Sequence, residues 1–167
     1  MQTAVRYEEA VARKYPEQVV VAIARDANGK CNPIALGWMM YCSSEPPLVA
    51  IAVNLGHHST PAIRHARAFV LAFPSEAQAE DTAFFGSVSG RDVDKLAVRG
   101  TATQAADKID GVLLSDAVAN LECVLQGEYI TGDHVIIVGR VVAAHLNEDA
   151  GVKRLYNLGG GKLGGIG

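Results

Sequence analysis

At 167 residues and 49% apolar composition the chain suits one domain with a real core and is too apolar for disorder. A formal charge of -3 with no basic run excludes a nucleic-acid reader that works through a cationic face. No segment has the unbroken apolar length of a membrane span, and the start of the chain lacks a signal peptide's apolar run, which leads us to expect a cytoplasmic protein.

Taken in order, residues 1 to 15 read as a short helical or irregular lead-in. Gln18 to Arg25 is rich in Val and Ile without helical spacing and reads as a buried strand. Asn28-Gly29 is a strong hairpin signal, with a partner strand expected from Cys31 to Tyr41. Pro33 and Gly37 within that run suggest an edge or an open face, where something flat could lie against the backbone. Ser43 to Pro47 reads as a turn and Leu48 to Asn54 as a strand. Ser59 or Thr60 suits a helix N-cap, with Pro61 in the first turn and the helix running to about Ala66.

Ala68 to Phe73 is the next strand, and Glu76 to Phe85 reads as helix. Asp92 to Val98 suggests one or two helical turns, with Asp92 and Asp94 as caps. Gly100 to Ser115 is polar and reads as an irregular excursion. Asn120 to Ile130 and His134 to Leu146 are apolar strands joined by a tight turn at Thr131-Gly132-Asp133. The glycine run in Leu155 to Lys162 is too flexible for a strand interior, but lets a backbone approach a ligand or a second subunit. Six or seven hairpin-linked strands without regular strand–helix alternation predict a mainly β fold, an antiparallel barrel whose closure removes exposed edges. Residues 1–167 are expected to form one domain.

Chemistry concentrates in Phe84 to Lys95 (FFGSVSGRDVDK). Gly86, Ser87, Ser89 and Gly90 allow backbone N–H groups to crowd an anion, while Arg91 and Lys95 add positive charge. The same composition also makes an ordinary surface loop. The start of the helix after His57-His58 offers free N–H groups and a positive dipole end, which suits a phosphate; the plainer reading is a capped surface helix with two solvated histidines. Three widely spaced cysteines, Cys31, Cys42 and Cys123, without a CxxC pair fit reduced thiols better than disulfides or a zinc site, and no metal site is expected. Trp38 is either a core or interface aromatic or a ligand contact. No GxSxG elbow and no evident nucleophile–base pair appears.

The order of NPIALGWMMYCS (Asn32 to Ser43), NLGHHSTPAIR (Asn54 to Arg64), GSVSGRDVDK (Gly86 to Lys95), Gly132-Asp133-His134 and the terminal LGGG (Leu158 to Gly161) resembles the flavin reductase-like family, and within it the flavoredoxin branch of FMN-binding split barrels. The resemblance spans about Val19 to Lys162. It implies a split β-barrel that forms a homodimer, with FMN at or near the subunit interface. It further implies that Ala35, Leu36, Gly37, Trp38 and Met39 line the flavin ring, with Asn32 also in the cofactor site. Ser59, Thr60, Ser89, Gly90 and Lys95 would hold the phosphate, and Asn54, His57, His58, Ser87 and Val88 would also belong to the cofactor site. His134 would lie on the open side of the flavin as the candidate catalytic residue, where NAD(P)H or a redox partner protein approaches. Gly37 stands where many relatives carry Ser or Thr before the tryptophan, and His57-His58 where Ser or an aromatic often occurs. The expected activity is electron transfer from NAD(P)H or a protein carrier through FMN to an acceptor. The rival readings are a non-catalytic flavin-binding or storage protein, and a cofactor-less interaction module on the same fold.

Overall fold

The Val- and Ile-rich runs fold as strands. The computed structural model describes residues 1–166. In chain order it contains α1 (Tyr7–Val11), β1 (Glu17–Gln18), β2 (Val20–Arg25), β3 (Cys31–Leu36), β4 (Met39–Ser44), β5 (Pro47–Asn54), α2 (Ser59–Ala66) and β6 (Ala68–Phe73). One helical turn, Glu76–Gln78, leads into α3 (Ala79–Ser87), followed by α4 (Lys95–Arg99). Then come β7 (Thr103–Ala105), β8 (Val112–Leu114), β9 (Ala119–Thr131), β10 (His134–Leu146), β11 (Arg154–Gly159) and β12 (Lys162–Ile166). Strand makes up 47% of the chain against 18% helix, so the fold is mainly β, as the sequence predicts.

Seven strands form one antiparallel sheet in the order β3, β2, β6, β9, β10, β5, β4. Two apolar clusters pack against this sheet. Ile34 of β3 and Met39 of β4, from its two edges, share one cluster with Val20 and Ala22 (β2), Phe69 and Leu71 (β6), Val135 and Ile137 (β10) and Ile51 (β5). Ala62 and Ile63 of α2 join that cluster. The opposite side chains of β2 and β6, Val21, Ile23, Val70 and Ala72, pack with Phe85 of α3 and with Leu113, Leu114 and Ala117. Burial on both faces explains why β2 and β6 read as continuous apolar runs rather than alternating ones. Gly139 of β10 is required by this packing, because a Cβ there would stand 2.6 Å from the Phe69 ring.

Three sequence expectations need correction. The run from Cys31 to Tyr41 is two strands: the chain breaks at Gly37-Trp38, after which β4 pairs with β5 while β3 pairs with β2. The Trp38 carbonyl accepts the Ala52 N–H at 3.0 Å, which ties this break to β5. The excursion after Gly100 holds the β7–β8 hairpin. Finally, the C-terminal glycines make a hairpin turn. Gly159, Gly160 and Gly161 have φ of 87°, 60° and 76°; the flanking β11 and β12 pair with each other, and β11 also pairs with β1. The two hairpin turns at Asn28-Gly29 and Thr131-Gly132-Asp133 form where expected, with φ of 80° at Gly29 and 61° at Gly132.

Candidate functional site

Two hollows meet along α3. The first, about 390 Å³, is walled by Ala35, Leu36, Gly37 and Trp38 at the β3–β4 break, by Thr82 and Gly86 of α3, and by His134 at the start of β10. The N-terminal segment Lys14 to Val19 closes one side. The second, about 290 Å³, is bounded by His57, His58 and Ser59 at the start of α2, by Ser87 to Arg91 after α3, and by Lys95. Gly86 belongs to both walls. The helix carrying it lies so close to β3 that a Cβ at Gly86 would already touch the Ala35 side chain at 3.5 Å.

The second hollow has the character of an anion site. No Asp or Glu lines it, whereas Arg91 and Lys95 do. Lys95 opens α4 behind the capping carboxylate of Asp94, which accepts the Ala97 N–H at 3.2 Å. Only 3% of Lys95 is exposed. Its ammonium donates to Pro33 O at 2.8 Å and Phe85 O at 2.7 Å, joining β3 to the last turn of α3. Two of its three N–H bonds are thus used and one remains for a ligand. Burial lowers its pKa to about 8.

Around that lysine the polar groups hold each other in place. Asn32 is buried and donates from Nδ2 to Ser59 Oγ at 2.8 Å, while its Oδ1 has no partner among the described residues. A Cβ on Gly90 would fall 1.8 Å from Asn32 Oδ1, so the loop must pass this point as glycine. His58 pairs through Nε2 with Asp26 Oδ2 at 3.0 Å. Burial opposes ionisation of Asp26, but the His58 contact and the N–H groups of Lys30 and Asn28 hold its carboxyl below the usual range. His58, not Ser59 or Thr60, is the N-cap of α2, and no side chain closes that end.

In the first hollow, the Trp38 and His134 rings lie with centroids 4.8 Å apart at 42°. His134 Nδ1 sits 2.7 Å from Asp133 Oδ1, which leaves Nε2 as the ring atom able to meet a ligand. The contact with His134 holds the Asp133 carboxyl below its ordinary pKa. Thr82 is 1% exposed, and its hydroxyl has no partner among the described residues.

Of the residues expected from sequence, Ala35, Leu36, Gly37, Trp38 and His134 converge on the first hollow. His57, His58, Ser59, Ser87, Val88, Ser89, Gly90 and Lys95 converge on the second. Asn32 stands behind the second wall and braces it. Met39 turns into the core. Asn54 and Thr60 bond to each other, Thr60 Oγ1 donating to Asn54 O at 3.0 Å, and line neither hollow. Sequence reasoning missed Lys14, Glu17, Gln18, Thr82 and Asn157 in the first wall. Thr82 sits in an unremarkable helix, and the others reach the site only through the pairing of β1 with β11, which no local pattern announces.

A different cluster, Asp107, Glu122 and His145, has metal-like proximity. Glu122 is fully buried, and its oxygens already accept the N–H groups of Asp107, Lys108 and Ile109 and face His145 Nε2 at 2.7 Å. That carboxylate is saturated by donors and serves as a clamp on the β7–β8 loop.

The whole chain, and not the hollows alone, is similar to known proteins. A family model described as a flavin reductase like domain matches residues 12–163. The reductase component of 4-hydroxyphenylacetate 3-monooxygenase from Thermus thermophilus is 32% identical, over 86% of this chain and 85% of that protein. An NADH-dependent FMN reductase from Streptomyces nodosus subsp. asukaensis is 29% identical, over 83% of this chain and 75% of its own length. Among solved structures, an FMN-binding protein from Thermus thermophilus with bound p-hydroxybenzaldehyde superposes with a TM-score of 0.86 at 26% identity, covering 99% of this chain and 95% of that one.

Proposed function

The chain belongs to the flavin reductase-like family and is a flavin-dependent oxidoreductase, and from that premise we propose that its cofactor is FMN, held across the two hollows. The observation that carries this is the charge and shape of the second hollow. A phosphate of about -2 charge finds there Arg91, the free N–H of Lys95, the Ser59 hydroxyl and the uncapped start of α2, with no opposing carboxylate. Glycine at positions 86 and 90 lets the chain pack against Ala35 and Asn32, which holds these walls in place. The Thr82 hydroxyl, buried in the wall of the first hollow and without a partner among the described residues, is a group that a polar ligand would satisfy.

When bound, the flavin supplies the two-electron chemistry. The chain's residues bind and orient it. Lys95, Arg91 and the Ser87–Gly90 loop anchor the anionic end. The β3–β4 break, Ala35 to Trp38, offers a wall against which a flat ring can lie. Trp38 and His134 wall the open side, and His134 Nε2 can hold or accept a proton there while Asp133 fixes the ring through Nδ1. NADH or NADPH, or a redox partner protein, is the electron donor in this reading. The relative from Streptomyces nodosus, an NADH-dependent FMN reductase, supports the nucleotide.

The working unit in this reading is a homodimer of one cytoplasmic domain. Trp38 (51% exposed), Met40 (55%) and Tyr129 (68%) leave apolar area on the sheet beside the first hollow, and Met40, Ala50, Ala52 and Ile136 line a shallow apolar groove. A second copy seated there would border the flavin.

Purified protein should carry or take up FMN, seen as the visible flavin band, and that band should bleach under anaerobic titration with NADH or NADPH. Binding without bleaching by any donor would favour a flavin-storage role. No binding of FMN would leave only the interaction module.

A further inference from the structure

Gly37 removes a side chain from the first hollow, and the space is taken by a carboxylate from elsewhere in the chain. A Cβ at Gly37 would lie 3.0 Å from Glu17 Cδ and 3.1 Å from each carboxylate oxygen. Glu17 lies on β1, twenty residues earlier, and is brought there because β1 pairs with β11 rather than joining the main sheet. Its side chain is only 18% exposed. Lys14 grips both oxygens, at 2.9 and 2.8 Å, so the carboxylate is fixed in position. Both residues line the hollow that also holds Trp38 and His134. A partly exposed pair three residues apart adds at most about 1 kcal/mol to stability, too little to explain a carboxylate pinned in a ligand wall.

We infer that Glu17, held by Lys14, sets the reduction potential of the flavin through its fixed negative charge. The inference rests on the FMN reading above. Uptake of two electrons and one proton by the bound ring adds one negative charge to it. A fixed carboxylate in the wall of the hollow opposes that charge, so the oxidised ring is held more tightly than the reduced one and the potential falls. Lys14 offsets part of this field. The two residues therefore act with opposite sign, which a purely structural pair would not do.

The test is the midpoint potential of FMN bound to the full chain, measured by spectroelectrochemical titration, with affinities for oxidised and reduced FMN determined separately. Glu17→Gln keeps shape and removes charge; it should strengthen binding of reduced relative to oxidised FMN by about tenfold, a shift of ~30 mV upward for a two-electron couple. Lys14→Gln should move the potential the other way. Opposite shifts establish the role. An unchanged potential in FMN-loaded Glu17→Gln, or shifts of the same sign in both variants, overturns it while leaving the FMN reading intact. Failure of the unmodified chain to bind FMN at all overturns both.

Discussion

A single buried ammonium and a single missing methyl group decide how the second hollow works. Lys95 ionises with a pKa of about 8 because burial penalises its charge. Below that pH its free N–H meets a phosphate as part of a cation; above it the group becomes a neutral amine. Preference for FMN over riboflavin, which lacks the phosphate, should therefore decline as pH rises through about 8, as read by fluorescence titration of both ligands. For folding the sign is reversed: the folded pKa lies below the ordinary 10.5, so burying the charged form costs stability below about 8, and that cost fades between 8 and 10.5. Lys95→Ala should weaken FMN by about 10- to 100-fold and riboflavin far less; equal losses would remove the phosphate role. Gly90→Ala should drive a methyl group into Asn32 and cost about 1–3 kcal/mol, measured by denaturant unfolding, with Asn32→Ala in the same chain recovering part of the loss. The loop from Gly86 to Lys95 was legible in the sequence because small residues and cations cluster there in chain order. Glu17 and Thr82 were not, since a carboxylate and a hydroxyl acquire their meaning only from what tertiary pairing sets opposite them.

At the scale of elements, local chemistry was readable wherever it was self-contained. Asn28-Gly29 closes its hairpin because Asp26 Oδ1 accepts the N–H groups of Asn28 and Lys30, a contact written within five residues. The break of Cys31 to Tyr41 into β3 and β4 was hidden, because Gly37 and Trp38 suit an extended strand as well as a bend and only pairing with β5 selects the bend. The β7–β8 hairpin was hidden for a similar reason: both strands are only three residues long, and the loop between them is anchored by Glu122 on β9. Burial raises the pKa of Glu122, but the donors from Asp107, Lys108, His145 and Ile109 together hold it below its ordinary value. Its contribution to stability is thus present above about pH 4.5 and is lost as pH falls through the lowered folded value. Glu122→Gln sets an NH2 group against N–H donors and should cost about 3–5 kcal/mol. Hydrogen exchange should show the Asp107–Ile109 amides opening first.

For the whole molecule, the mainly β class followed from the count of apolar runs, but the sheet order did not, because hydrophobic patterning says which faces are buried and not which strands are neighbours. The exposed apolar groove tests the assembly: Met40→Lys should convert a dimer to monomers in analytical ultracentrifugation without unfolding the core, since Met40 is 55% exposed in the single chain. The sheet order has a consequence for how the protein is made. β9 and β10 are inserted between β6 and β5, strands that emerge from the ribosome some fifty or more residues earlier. Until residue 146 has been synthesised, β5 and β6 each present an unpaired edge, so the nascent chain carries two sticky borders through most of its translation. A chain stopped at Val118 should remain aggregation-prone and bind a chaperone, and addition of the β9–β10 ribbon as a separate peptide is the direct way to ask whether those borders are what the chaperone holds.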